Sequence, residues 1–335
     1  MAMDRMISVI VCTYNQQDSI GETLDSILTQ KTTLPIEIVV GEDCSTDKTR
    51  QVCRQYRERY PDIIRLVENK RNKGLMDNYF DCLMQCRGMY VADCAGDDRW
   101  TDELKLEKEA KILDRYQDVG IVHTNWQFRN REDGSTWASP PPKRKDFISD
   151  GQEYLEDILV QTYRPAIHLC TSMYRADWAK EEHDAHPEFF RNRTYPCEDV
   201  QLAYFLAARG KVAYIDEVTL DYSWGGESIS NPKNHARQFD FCLRTTQLSY
   251  DLASRHGKTS KLLQEFFSMR AAALLMHAFR AYDKQLRLTS ISASRKWNVP
   301  TNAWMNTIKL ATSNPVTWKS ALVLRKIVVT LKHIL

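Results

Sequence analysis

The sequence predicts an α/β fold: a mainly parallel sheet with flanking helices, followed by a C-terminal helical extension. Two observations predict it. Short apolar runs rich in β-branched residues alternate with amphipathic stretches through about the first hundred residues, which is the pattern of right-handed βαβ units. From about residue 233 the strand signals stop and helical spacing continues to the end.

Ile7-Ser8-Val9-Ile10-Val11-Cys12 is the first buried strand. Ser19-Ile20-Gly21-Glu22 has capping-box spacing and opens a helix carrying Ile20, Leu24, Ile27 and Leu28. Residues 36–40 form a second strand, 47–60 a helix ended by Pro61, 63–67 a third strand, 76–86 a helix and 89–92 a fourth strand. Beyond these come an amphipathic helix over 104–116, a strand over 119–125 and a turn at Asp133-Gly134. Pro140-Pro141-Pro142 with Lys143, Arg144 and Lys145 predicts a surface loop. Residues 151–162 and 199–209 are expected as helices, 166–174 and 212–215 as extended chain. The domains expected are 1–232 and 233–335.

The chain has 335 residues, 43% hydrophobic and 10% aromatic, ample for a packed core. Its net charge of +2 is unevenly spread. No Asp or Glu follows Asp283, whereas residues 284–335 carry nine Lys or Arg. A mildly acidic body with a basic tail suits an anionic partner. On a helix through 316–335, Val323, Leu324, Ile327, Val328 and Leu331 gather on one side and Lys319, Lys326 and His333 on the other. Such a helix either lies on an anionic membrane surface or docks on protein with its basic face in water. Nucleic acid is not expected, because the body lacks basic patches interleaved with aromatics. Nine cysteines without C-x-x-C spacing, and no apolar leader before Ile7, are expected of a cytoplasmic chain without disulfides or a thiolate metal site. Cys82 and Cys86, at helical spacing, are expected in the core.

In a parallel sheet, ligands bind beyond the carboxyl ends of the strands. Four polar clusters fall there: Thr13-Tyr14-Asn15, Glu42-Asp43-Cys44-Ser45-Thr46-Asp47, Asn69-Lys70-Arg71-Asn72-Lys73-Gly74 and Gly96-Asp97-Asp98-Arg99-Trp100. Adjacent carboxylates repel, and near an apolar strand end they need a compensating cation. Asp97 and Asp98 are therefore the candidate ligands for Mn2+ or Mg2+, hard ions that bind carboxylate, phosphate and water oxygens. Taken alone, the pair serves equally well as an exposed helix start; Gly96 and the three companion clusters favour the metal. Glu42 and Asp43 are candidate acceptors for ribose or base hydrogen bonds, while Arg71 and Lys73 either pair with phosphates or occupy a solvated loop. Trp100 either borders a sugar pocket or joins the core, and His168 and His183 are expected as loop or packing residues.

These four motifs, in this order, resemble family-2 glycosyltransferases of the GT-A fold, a Rossmann-like nucleotide-sugar architecture. The resemblance covers roughly residues 5–230 and is similar to bacterial surface-polysaccharide members. It implies an inverting transfer from a nucleotide sugar, UDP-linked first, to a glycan or lipid-linked glycan. It further implies that Asp98 is the direct metal ligand and that Asp97 lies toward ribose and sugar. Asp43 would bind the base, Tyr14 line its pocket, Asn15 support that loop, and Arg71 and Asn72 lie near base or diphosphate. Tyr195-Pro196-Cys197-Glu198-Asp199 is similar to the family's acceptor-side motif. By that likeness Asp199 is the general base and Glu198 its neighbour, at a helix start that favours negative charge. The stretch Asp221–Ser228 lacks the His that completes the metal site in many members. A peripheral position on the inner membrane face accords with a lipid-linked acceptor. A sugar nucleotidyltransferase is the alternative, but the first loop lacks the Gly-rich basic grip expected of one; a non-catalytic glycan- or nucleotide-binding module is the other.

Overall fold

The computed structural model describes residues 3–141, 146–161, 166–225, 233–300 and 302–334, with side chains described up to residue 325. The chain divides into two compact units, residues 1–226 and 227–335. The expected domain boundary at 232/233 falls at the edge of 226–232, outside the described residues, as do most of the basic stretch of the proline loop and residues 162–165.

The first unit is built on β1 (Asp4–Thr13), α1 (Ile20–Leu28), β2 (Ile36–Glu42), α2 (Thr49–Arg59), β3 (Ile64–Glu68), α3 (Leu75–Gln85) and β4 (Gly88–Asp93). It continues through β5 (Arg99–Trp100), α4 (Lys105–Arg115), β6 (Val119–Asn130), β7 (Thr136–Ala138), β8 (Phe147–Asp150) and α5 (Leu155–Val160). The last elements are β9 (Ser172–Arg175), α6 (Ala176–Ala185), α7 (Pro187–Phe190), α8 (Asp199–Arg209) and β10 (Lys211–Trp224). The sheet order is β3-β2-β1-β4-β9-β6-β10-β5, with β7 on β6 and β8 on β10. The long ladders β3-β2-β1-β4 and β6-β10 are parallel; short antiparallel pairings through β9 join them. All four strands of the first ladder therefore end on one side.

β1 is buried on both faces, as a central parallel strand should be. Ile7, Val9 and Val11 pack with Leu24, Ile27, Ile38, Val40 and Ala92 in one core. Cys82 on α3 and Cys86 just after it are buried as expected.

Several local expectations shift. β6 runs on to Asn130 because its second half pairs with the far end of β10 past irregularities in register. The extended segment expected over 166–174 contains a 3-10 turn, Leu169–Thr171, before β9. The Thr171 and Ser172 hydroxyls both donate to the His168 carbonyl and stabilise that turn. The capping box at α1 does not form. Ser19 Oγ donates to the Gly96 carbonyl at 3.0 Å, and Glu22 pairs with Arg99 and Arg129, so tertiary partners take both side chains.

The second unit is helical: α9 (His235–Arg255), α10 (Lys261–Ala281), α11 (Lys284–Lys296), α12 (Ala303–Ala311) and α13 (Pro315–Ile334). Side-chain caps from Asn234, Ser260, Asp283 and Asn302 start the first four. α10 contacts the other four helices, which accounts for its apolar residues spreading around the helix.

Lys105 and Glu109, one turn apart on α4, form a fully buried ion pair at 2.6 Å, with the ammonium 4.6 Å from the Trp100 ring centre. Trp100 is thus a core residue; its indole donates to the Cys170 carbonyl. Removing one member of a buried pair strands the other charge. Glu109→Ala is expected to lower unfolding free energy by about 3–5 kcal/mol. Lys105→Met with Glu109→Leu is expected to restore most of that loss. Urea unfolding of the three proteins measures both, and an undiminished midpoint in Glu109→Ala contradicts the assignment.

Candidate functional site

The loops after β1, β2, β3 and β4 meet along one edge of the sheet and interlock. Asn15 takes a left-handed conformation, φ 52°. Its amide donates to Ser45 Oγ at 3.0 Å, and its Oδ1 accepts from the Thr46 amide at 2.8 Å, so the first loop holds the second. Asp43 is buried and its carboxylate gathers the third loop. Oδ1 accepts from Asn69 Nδ2 at 2.9 Å and the Lys73 amide at 2.8 Å, and Oδ2 from the Gly74 amide at 2.8 Å.

Glu42 is fully buried, accepts from the Ser45 amide at 2.6 Å and pairs with Arg50. These two contacts hold the loop that carries Asp43. Lys73 likewise pairs with Asp81 at 2.8 Å. Tyr14, Arg71 and Asn72 are exposed along the same edge, and the Arg71 side chain has no partner among the described residues. Thr13 is buried and donates to Gln16 Oε1 at 2.8 Å, so it shapes the first loop rather than opening to solvent.

The fourth loop lies on the first. A β-carbon at Gly96 would come within 2.5 Å of Gln16 Oε1 and 2.8 Å of Thr13 Oγ1, so only glycine permits this approach. Asp97 pairs with Arg131. Asp98 is 2% exposed; its Oδ1 accepts from the Ser223 amide at 2.9 Å, and its backbone carbonyl accepts from Thr23 Oγ1 at 2.7 Å. Asp98 Oδ2 is buried without a hydrogen-bond partner. Burial and then the Asp97 charge push the Asp98 carboxyl well above the usual carboxylate range. An orphaned oxygen beside a second carboxylate fits a divalent cation. No group of three or more His, Cys, Asp or Glu able to hold a metal occurs among the described residues. A cation here would take protein oxygens from the Asp97-Asp98 pair and the rest from diphosphate and water.

Glu198 and Asp199 begin α8. Glu198 Oε2 is buried and unpaired; burial and then the Asp199 charge push its carboxyl up to about 8. Its charge is also felt by Cys12 and that of Asp93 reaches it, so α8 starts close to the ends of β1 and β4. The 168–170 segment links the two halves of the site. The Asp98 charge acts on Cys170, and the Asp199 charge opposes the burial that lowers His168. His183 packs with Phe80 and Phe190, as expected of a packing residue.

Sequence reasoning missed Arg131, Ser223, His168's link to Asp199, and Asp93. Arg131 and Ser223 reach Asp97 and Asp98 across long sequence separations and carry no local motif. Asp93 had a signal, a carboxylate directly closing an apolar strand. Both its oxygens are buried without partners, and burial pushes it up to about 7. Because the folded value exceeds the unfolded value of roughly 3.9, the folded state holds an extra proton between about pH 4 and pH 7. Stability therefore falls as pH rises through that window, by up to about 1.4 kcal/mol per pH unit. Asp93→Asn is expected to flatten this slope in urea melts at pH 5 and pH 8, without added metal; an unchanged slope contradicts the assignment.

The model for "Glycosyl transferase family 2" matches residues 8–182, just over half of the chain. An uncharacterized protein of Mycobacterium tuberculosis is 40% identical over 146 residues, which are 43% of this chain and 42% of that one. The chain thus matches about two fifths of the length of that relative. The crystal structure of S. aureus TarS 1-349 in complex with UDP-GlcNAc superposes with a TM-score of 0.53 at 16% identity, covering 89% of this chain and 93% of that one. A mannosyltransferase of Pyrobaculum calidifontis, in complex with GDP-Man and Mn2+, gives 0.51 at 20% identity over 97% and 90%. The fold is that of the GT-A glycosyltransferases, and the chain belongs to glycosyl transferase family 2.

Proposed function

We propose that the chain is an inverting glycosyltransferase that moves a sugar from a nucleotide-sugar donor, UDP-linked first, to a glycan or lipid-linked glycan. The observation that carries this is the unpartnered, buried Asp98 oxygen beside Asp97, at the strand-end edge of a family-2 domain. The solved structures that share the fold support it: one holds UDP-GlcNAc, the other GDP-Man and Mn2+.

Asp97 and Asp98 would hold Mn2+ or Mg2+, which as a Lewis acid stabilises a leaving diphosphate. Asp43 and Tyr14 flank the base, with Asn15 and Glu42 positioning that loop. Arg71 and Asn72 face the phosphates from the exposed loop. Asp199 takes the proton of the acceptor hydroxyl as its oxygen bonds to the anomeric carbon and the bond to the diphosphate breaks. Glu198, held protonated near neutral pH by burial, is suited to donate a hydrogen bond to the acceptor rather than to act as base.

The tail supports a place on a membrane surface. Among the described residues no helix is long and apolar enough to cross a membrane. Leu310, Val316, Val323 and Leu324 are exposed on the last two helices of a unit rich in Lys and Arg. Peripheral docking on the anionic inner face follows, and sedimentation of the full chain with phosphatidylglycerol vesicles tests it.

The deciding experiment is release of nucleoside diphosphate from a panel of nucleotide sugars, with and without Mn2+. Metal-dependent release from a UDP-sugar is expected; pyrophosphate formation from sugar phosphate and nucleoside triphosphate would instead mark a nucleotidyltransferase, and no turnover a binding module. Asp98→Ala is expected to abolish release while keeping a cooperative unfolding transition, and full turnover at saturating metal rejects the metal assignment. Asp199→Asn is expected to bind UDP with Mn2+ normally yet lose transfer by on the order of 10²–10⁴-fold. A near-normal rate in that variant removes it as the base.

A further inference from the structure

One surface beside the site is not used by the donor reading. Phe128 pairs in register with Trp137 on β7 and with Tyr222 on β10, and Trp224 lies two residues beyond Tyr222. Alternation along strands puts all four side chains on one face of the sheet. The ring centres of Phe128 and Trp137 are 5.3 Å apart and nearly parallel; Trp224 stands almost perpendicular to both, at 5.6 and 6.4 Å. Tyr222 continues the row inward, 5.9 Å from Phe128 and 4.9 Å from His168, whose imidazole feels the Asp199 charge. A continuous run of rings therefore leads from the acceptor-side carboxylate to solvent.

The outer rings are Trp137 and Trp224, 42% and 44% exposed. Neither indole N–H has a hydrogen-bond partner among the described residues. The alternate positions of the same strands carry Gln127, Arg129, Asp221 and Ser223, which bind Glu22, Arg99 and the Asp97-Asp98 loop. The sheet end is thus split into a polar face that supports the metal pair and an aromatic face that does not touch it.

We infer that Trp137 and Trp224, backed by Phe128, form a subsite for a pyranose ring of the acceptor glycan, remote from its reacting hydroxyl. This rests on the glycosyltransferase reading. A pyranose has an apolar C–H face rimmed by hydroxyls. An indole covers the face and donates its N–H to the rim, a match of one apolar body and one polar edge. The two rings meet at right angles, and Asn130 lies opposite Trp224 in register on the same face, which suits a hydroxylated ring and not an acyl chain. The row's continuity with His168 puts this ring on the acceptor side.

The test uses the full chain with UDP and Mn2+, and immobilised linear tetrasaccharides of glucose, galactose, mannose or N-acetylglucosamine as probes. Binding to at least one is expected, weakened about tenfold in Trp137→Ala and in Trp224→Ala and largely retained in Trp137→Tyr. The affinity for UDP, by calorimetry, and the melting midpoint are expected to stay unchanged in Trp137→Ala. Equal tetrasaccharide binding by wild type and both alanine variants overturns the subsite, as does binding to none by a wild type that releases nucleoside diphosphate. Loss of phosphatidylglycerol-vesicle binding in the same variants, with glycan binding intact, overturns it in favour of a membrane. A wild type that neither binds UDP nor releases nucleoside diphosphate instead refutes the function on which the subsite rests.

Discussion

Two neighbouring carboxylates at the end of a buried strand set the terms for the rest of this site. Removing Asp98 from water beside a second carboxylate, with one of its oxygens left without a donor, is unfavourable, and the fold supplies many contacts to hold that arrangement. Gly96 permits the loop to lie on Thr13 and Gln16. Ser19, Thr23 and Ser223 fix its backbone and one Asp98 oxygen. Arg131 offsets the Asp97 charge from outside. The second oxygen has no donor within the protein, an arrangement that fits a divalent cation.

The long final strand couples this constraint to the rest of the unit. β10 pairs with β6, β5 and β8, and its far end carries Asp221, Tyr222, Ser223 and Trp224 in sequence. Alternation sends two of these toward the Asp97-Asp98 pair and its ion network and two toward the aromatic row. One strand thereby carries both the support of the Asp97-Asp98 loop and part of the aromatic row. Asp93 and Glu198, both raised toward neutrality by burial, limit the negative charge that accumulates where these strands end.

The strand-end clusters were legible because they are local. A strand followed by Thr13-Tyr14-Asn15, or by Gly96-Asp97-Asp98, announces its position through apolar periodicity, and α8 was read with the observed bounds for the same reason. What was not legible is which polar side chains pair with other charges of the chain. Glu42 faces Arg50, Lys73 faces Asp81, and Glu22 leaves its own helix start for two arginines. Each of these charges found an opposite charge within the folded chain, Glu42 in the core and Lys73 and Glu22 at the half-exposed surface, and no apolar periodicity announces such pairs.

The amino-acid sequence by itself determined the alternation of elements, the edge where the polar loops gather, and the carboxylate pairs at Asp97-Asp98 and Glu198-Asp199. Those follow from short-range periodicity and from the topology that a parallel sheet imposes. Tertiary structure alone decided which carboxylate keeps an open oxygen, that Arg131 and Ser223 serve the pair, and that Trp137 and Trp224 stand together. These depend on strand register between segments roughly 90 residues apart, and no local pattern in a chain encodes a register that only the packed sheet selects.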